Sequence, residues 1–271
     1  MSVLDDIIVG VREDLAARES ALPLSRVMPD AQAQQPALDA HAALKGDGSG
    51  GLEVIAEVKR SSPSKGSLAS ITDPAALAAR YERGGAAVVS VLTEQRRFQG
   101  SLADLDAVRA EVGIPVLRKD FTVADYQIWE ARAHGADLVL LIVAALGDAQ
   151  LEHLLGLTHE LGMNALVEAH TAEEVDRAAA VDARLIGINV RNLKTLDIDR
   201  SVFADLALRI PAGTVTIAES GVRDAADVEQ FAAQGASAVL VGEALVRHDN
   251  PESTIGEFRA AGRNARQGVH S

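Results

Sequence analysis

Apolar residues gather into eight short runs, at residues 52–58, 86–91, 115–117, 137–143, 164–167, 184–188, 214–218 and 237–241, each rich in Val, Ile, Leu and Ala. Unbroken apolar runs of this length suit strands buried on both faces. Their alternation with amphipathic stretches calls for a parallel sheet with crossover helices. Successive runs start 20 to 34 residues apart, room for one strand, one helix and two loops. The pattern predicts an α/β fold: a single (β/α)8 TIM barrel over residues 51–262, preceded by an N-terminal helical extension (1–50) and followed by a disordered tail (263–271).

Within the extension, Leu4, Ile7, Ile8, Val11 and Leu15 recur at helical spacing and predict a helix over 3–17. Residues 29–37, with three Gln, three Ala and two Pro, read as a loop, and 38–45 as a short second helix. Such an extension must pack outside the repeat, where it can cover one end of the barrel. Gly46, Gly48 and Gly51 match a dinucleotide fingerprint in spacing, but they follow a helix and lead into a strand, the reverse of a nucleotide loop, so a connector is expected and no cofactor is implied. Thr72-Asp73-Pro74 is a helix start, and Gly85, Gly135, Gly162 and Gly235 are helix stops placed just before apolar runs.

Composition narrows the classes. The chain has 271 residues, 48% of them hydrophobic, enough for one large barrel core. With no cysteine there is no disulfide, thiolate metal site or cysteine nucleophile. The seven histidines show no ligand spacing, so no metal is expected. The first residues lack a basic leader segment and no apolar stretch reaches about 18 residues, which predicts a cytoplasmic protein. A formal charge of −13 argues against a nucleic-acid or anionic-membrane partner. Cations at the strand ends instead favour a small anionic ligand, and a monomer is the simplest assembly.

In such barrels chemistry sits at the C-terminal ends of the strands. Those ends carry Glu57 and Lys59; Lys119, Asp120 and Phe121; Glu168; Asn189 and Arg191; Glu219, Ser220 and Gly221; and Gly242 and Glu243. Glu57 and Lys59, two apart, share one side of their strand and face the barrel axis if Val54, Ala56 and Val58 face the helices, either as an internal ion pair or as site residues. Ser62 and Pro63 lie in a loop that either walls the site with its hydroxyls and amides, Pro63 fixing the chain so that Ser62 turns inward, or is an ordinary solvated loop. Glu168, desolvated among Leu166 and Val167, is expected to have a raised pKa and to act as general base or acid, or else to partner a lysine. Lys119 is expected to have a lowered pKa from Lys59 and Arg191, the direction that makes an ammonium a better donor. Arg118, out of phase with Lys119, faces the helices or solvent. Asn189 and Arg191 repeat the two-residue spacing, and the planar fork of Arg191 suits a carboxylate or phosphate. Gly221 and Gly242, after the last two strands, allow backbone amides to approach a phosphate, though each also fits simple turn punctuation.

Taken together, residues 55–64 (IAEVKRSSPS), with 90–94, 98–101, 117–121 (LRKDF), 165–168, 187–193 (GINVRNL) and 218–221 (AESG), resemble the indole-3-glycerol-phosphate synthase family of tryptophan biosynthesis. The resemblance implies ring closure of 1-(2-carboxyphenylamino)-1-deoxyribulose 5-phosphate with loss of CO2 and water, without a cofactor. It further implies Lys119 as general acid, Glu168 and Lys59 in proton transfer with Glu57 assisting, and Asn189 positioning the substrate. Substrate binding would fall to Ser62, Pro63, Phe121, Leu140, Arg191, Glu219 and Ser220. Phosphate binding would fall to Lys59, Ser220, Gly221, Leu240, Gly242 and Glu243, the last only if its carboxylate turns away. A phosphoribosylanthranilate-isomerase-like barrel works through a Cys and Asp pair and fits poorly without cysteine; a barrel that only binds phosphorylated metabolites is the other alternative.

Overall fold

The computed structural model describes residues 3–46, 51–62, 66–67, 71–192, 195–247 and 250–268. Eight parallel strands close into a barrel: β1 Glu53–Val58, β2 Val88–Leu92, β3 Val116–Lys119, β4 Leu138–Ile142, β5 Asn164–Ala169, β6 Leu185–Asn189, β7 Val215–Glu219 and β8 Ala238–Val241. Each pairs with its sequence neighbours, and β8 returns to β1 in register Glu53 to Ala238 through Ala56 to Val241. All eight coincide with the apolar runs to within a few residues. Their side chains are almost wholly buried, because one face packs the barrel interior and the other the helices.

Four helices of the described repeat start at a residue whose side chain caps them. Asp73 accepts a hydrogen bond from the Ala76 amide (2.9 Å) ahead of α4 (Pro74–Arg83), with Pro74 at the first turn. Ser101 caps α5 (Leu102–Glu111), and α6 (Asp125–Ala133) and α7 (Asp148–Glu160) follow β3 and β4. Thr171 caps α8 (Ala172–Ala180), α9 is short (Val202–Ala207), and Asp224 caps α10 (Ala225–Ala233). Gly135 and Gly235, at φ 75° and 101°, turn the chain from α6 and α10 into the next strand.

Three helices make up the extension: α1 Val3–Ala21, α2 Leu24–Ala33 and α3 Ala40–Lys45. The expected loop over 29–37 is therefore corrected in its first half, which is helical. Its Ala and Gln are good helix formers, Pro29 forfeits one amide bond, and Val27 is held in a small core with Leu15 and Tyr126. Whereas α1 lies over the C-terminal mouth, with Val3, Leu4 and Ile7 at the cavity, α3 closes the opposite end. There Leu44 and Ala40 are fully buried, the Leu38 amide donates to Asp137 (2.8 Å) and the His41 amide donates to Asn164 (3.2 Å), two residues at the starts of β4 and β5.

After β8 come the five-residue α11 (Glu243–Arg247) and α12 (Pro251–Gly268). The last helix extends past residue 262 into the segment expected to be the tail. Helix α12 runs on to Gly268 because Phe258, Ala261 and Ala265 continue its apolar stripe against the core. Residues 47–50 of the glycine connector and 269–271 lie outside the described residues. No helix among the described residues is long and apolar enough to cross a membrane.

Candidate active site

Parallel strands in register carry their terminal side chains to one level. Leu92 pairs with Lys119, Ile142 with Glu168, and Asn189 with Glu219. The ends surround a cavity of about 530 Å3 at the C-terminal mouth. Every site residue expected from the sequence lines it except Ser62 and Pro63. The backbone of Ser62 pairs with Gly66 in a two-residue antiparallel ladder, while its side chain and the whole of Pro63 lie outside the described residues.

The charged floor holds two pairings. Lys59 Nζ sits 2.5 Å from Glu57 Oε1. Lys119 Nζ lies 3.3 Å from Glu168 Oε2 and 3.5 Å from Glu219 Oε2, and both carboxylates are nearly inaccessible to water (1% and 2% exposed). Two buried carboxylates thus share one ammonium. Two glycines make the space: a Cβ at Gly187 would overlap Glu219 Oε1, and one at Gly242 would come within 2.8 Å of Glu57 Oε1.

These contacts overturn two electrostatic expectations. Burial alone lowers the Lys119 pKa, but the carboxylates of Glu168, Glu219 and Glu57 outweigh it and raise it, rather than cations lowering it. Burial likewise pushes Glu168 up, yet Lys119 and then His170 outweigh that and hold it well below the carboxylate range. The raised acid is its neighbour. Burial, followed by the charge of Glu168, pushes Glu219 to about 8 despite the opposing pull of Lys119. The pair resembles other closely placed carboxylates in which one keeps a proton.

Arg118 turns the other way. Fully buried behind the barrel, it donates to the Gln127 carbonyl (3.1 Å) and pairs with Asp120 (3.0 Å) and Glu130 (2.9 Å), while Arg18 of α1 reaches the same Glu130 (2.9 Å). This network ties the mouth-covering helix to the strand that carries Lys119.

Around the polar floor, the wall is mixed. Asn189 Oδ1 accepts from the Arg191 amide (3.1 Å), and the half-buried Arg191 guanidinium donates to the Leu196 carbonyl (3.0 Å), fixing its reach over the cavity. Phe98 and Phe121, with ring centroids 6.1 Å apart, make an apolar wall with Leu140 and Ile142. Ser220 and Gly221 have consecutive positive φ angles of 67° and 78°, a left-handed turn that follows β7 at the cavity. Glu243 pairs with Arg247 one turn along α11 (2.6 Å), so its carboxylate is drawn along the helix.

Sequence reasoning assigned no role to Phe98, the α1 face, or the rim arginines Arg200, Arg223 and Arg247, all of which line the cavity. A signal for Phe98 was available, since it is an aromatic in the loop after the second strand. Arg200 and Arg223 come from loops and Arg247 from the end of α11, segments whose approach to the mouth is set by the closure of the barrel. No group of three or more His, Asp or Glu side chains among the described residues is arranged to hold a metal ion.

Residues 4–258 match the family model described as "Indole-3-glycerol phosphate synthase". Proteins named indole-3-glycerol phosphate synthase from Arthrobacter sp. (strain FB24) and Paenarthrobacter aurescens (strain TC1) are each 64% identical, over 98% and 97% of both chains respectively. One from Micrococcus luteus is 62% identical over 96% of this chain and 98% of its own. Among solved structures, a 3-hexulose-6-phosphate synthase (16% identical, TM-score 0.62) covers 78% of this chain and 99% of its own. Thiamine phosphate pyrophosphorylase from Pyrococcus furiosus (11%, TM-score 0.60) covers 79% and 96%. Likeness to these two extends to the fold alone.

Proposed function

Starting from the fact that the chain belongs to the indole-3-glycerol phosphate synthase family, we propose how its residues divide the work of this carboxy-lyase of tryptophan biosynthesis. The reaction turns 1-(2-carboxyphenylamino)-1-deoxyribulose 5-phosphate into indole-3-glycerol phosphate, CO2 and water. The ring carbon bearing the carboxylate attacks the ketone carbon, and the ketone oxygen takes a proton. The carboxylate then leaves as CO2, its bonding pair restoring the aromatic ring. Finally the new hydroxyl departs with a proton as water, and the former methylene carbon gives up a proton.

Lys119 is the donor to the ketone oxygen. Its high pKa keeps it charged in the free enzyme, so it first stabilises the developing alkoxide and then transfers its proton to that strong base. Glu168, held ionised, accepts the methylene proton in the dehydration, and Lys59, oriented by Glu57, assists the departing hydroxyl. Asn189 and Arg191 orient the polar groups of the substrate, while Phe121 and Leu140 pack on its ring. Glu219, carrying a proton in the free enzyme, binds beside Ser220 as a hydrogen-bond donor. The phosphate is held by Lys59 and by amides of the Ser220–Gly221 turn and of Leu240, Gly242 and Glu243. We further propose that the chain acts as a monomer in the cytoplasm.

The observation that carries this reading is the Lys119 ammonium set 3.3 Å from Glu168 and 3.5 Å from Glu219 at the floor of the mouth. Lys119→Met and Glu168→Gln, assayed by indole fluorescence, are each expected to lower kcat about 10²- to 10⁴-fold. Native turnover in either variant refutes the assigned proton chemistry.

A further inference from the structure

His170 lies two residues beyond Glu168 and so projects on the same side as β5 gives way to α8. Its Nε2 stands 3.3 Å from Glu168 Oε1, on the side of that carboxylate away from the oxygen that meets Lys119. Its other nitrogen, Nδ1, stands 3.1 Å from Glu174 Oε2, and the same oxygen accepts the His170 backbone amide at 2.7 Å. Glu174 is itself fixed, because Thr171 caps α8 by accepting the Glu174 amide at 3.2 Å. In the usual capping box, the acid three residues into the helix reaches back to the backbone at the helix start. Here that acid extends one residue further and grips an imidazole. The imidazole ring is 10% exposed and contributes no atom to the cavity wall.

We propose that His170, clamped by Glu174, is a positioning residue that fixes the rotamer of Glu168 and keeps it ionised as the dehydration base. The inference rests on the role given to Glu168 above. Burial disfavours the imidazolium, but Glu168 and Glu174 outweigh it and raise the His170 pKa to about 10, so the ring stays charged through neutrality, hydrogen-bonded to Glu174 at Nδ1 and facing Glu168 at Nε2 as an ion pair. The groups facing this unit are Glu168 from β5, Glu174 from α8, Lys119 from β3 and Glu219 from β7. With His170 removed, Lys119 and the hydrogen bond with Glu219 are left to oppose the burial of Glu168, whose pKa must rise.

The test is steady-state kinetics on full-length His170→Gln and Glu174→Gln. His170→Gln is expected to lower kcat about tenfold with KM within twofold of native. It is also expected to move the acidic limb of the kcat–pH profile to higher pH, and Glu174→Gln should act the same way more weakly. A folded His170→Gln with native kcat and a native acidic limb overturns the proposal. So does a loss of kcat without movement of the limb, the mark of a merely structural role. If His170→Gln does not fold, Glu174→Gln decides by the same two readouts. Glu168→Gln separates the two readings: its inactivity beside a native His170→Gln removes only the positioning role, whereas full activity of Glu168→Gln removes both.

Discussion

At the scale of single residues, the decisive fact is that Glu168 and Glu219 compete for one ammonium, and only the surroundings choose between them. Glu168 has Lys119 and His170, whereas Glu219 has an unpaired Oε1 pressed toward Gly187. The consequence is measurable in stability. An acid whose folded pKa is raised from 4.5 to about 8 gives its full contribution below 4.5 and loses it as pH climbs between those values, because the unfolded chain ionises first. Replacing Glu219 with Gln, which imitates the protonated acid, removes that loss. Denaturant unfolding should show the variant on the order of 1–3 kcal/mol more stable than native at pH 8.5 and nearly equal at pH 4.5. Parallel pH–stability curves would contradict a protonated Glu219.

Single elements explain both what the sequence disclosed and what it withheld. Strands were legible because a strand buried on both faces must be apolar throughout, and their polar ends were legible because Glu57, Lys59, Lys119, Glu168 and Asn189 interrupt those runs. Pairing was not. The separations between Lys119, Glu168 and Glu219 depend on the stagger of β3, β5 and β7, and spacing along the chain does not encode stagger. That is why the expected pKa directions of Lys119 and Glu168 came out reversed. Helix α2 was half hidden for a different reason: Ala and Gln suit helix and loop alike, and the tertiary contact of Val27 with Tyr126 decides between them. Helix α3 permits a clean separation of stability from chemistry. Leu44→Ala should cost about 2–4 kcal/mol in denaturant unfolding, since it hollows a fully buried site. It should leave kcat unchanged, because it lies at the end of the barrel away from the mouth. A large fall in kcat with normal stability would mean that α3 communicates with the site.

Over the whole molecule, a body of net charge −13 presents a mouth where Lys59, Lys119, Arg191 and the rim arginines converge. A substrate carrying both a phosphate and a carboxylate is repelled by most of the surface and drawn to one spot, and salt weakens that focusing. Raising ionic strength from about 20 mM to about 300 mM should therefore increase KM roughly three- to tenfold with little change in kcat. A salt-independent KM would place substrate capture on contacts rather than field. The sealed lower end adds a constraint on traffic. With Leu44 and Ala40 packed beneath the strands and the interior filled with side chains, arrival and departure share the C-terminal mouth among the described residues. The indole-3-glycerol phosphate must vacate before another ribulose adduct can dock, so product and incoming reactant compete for the same cavity.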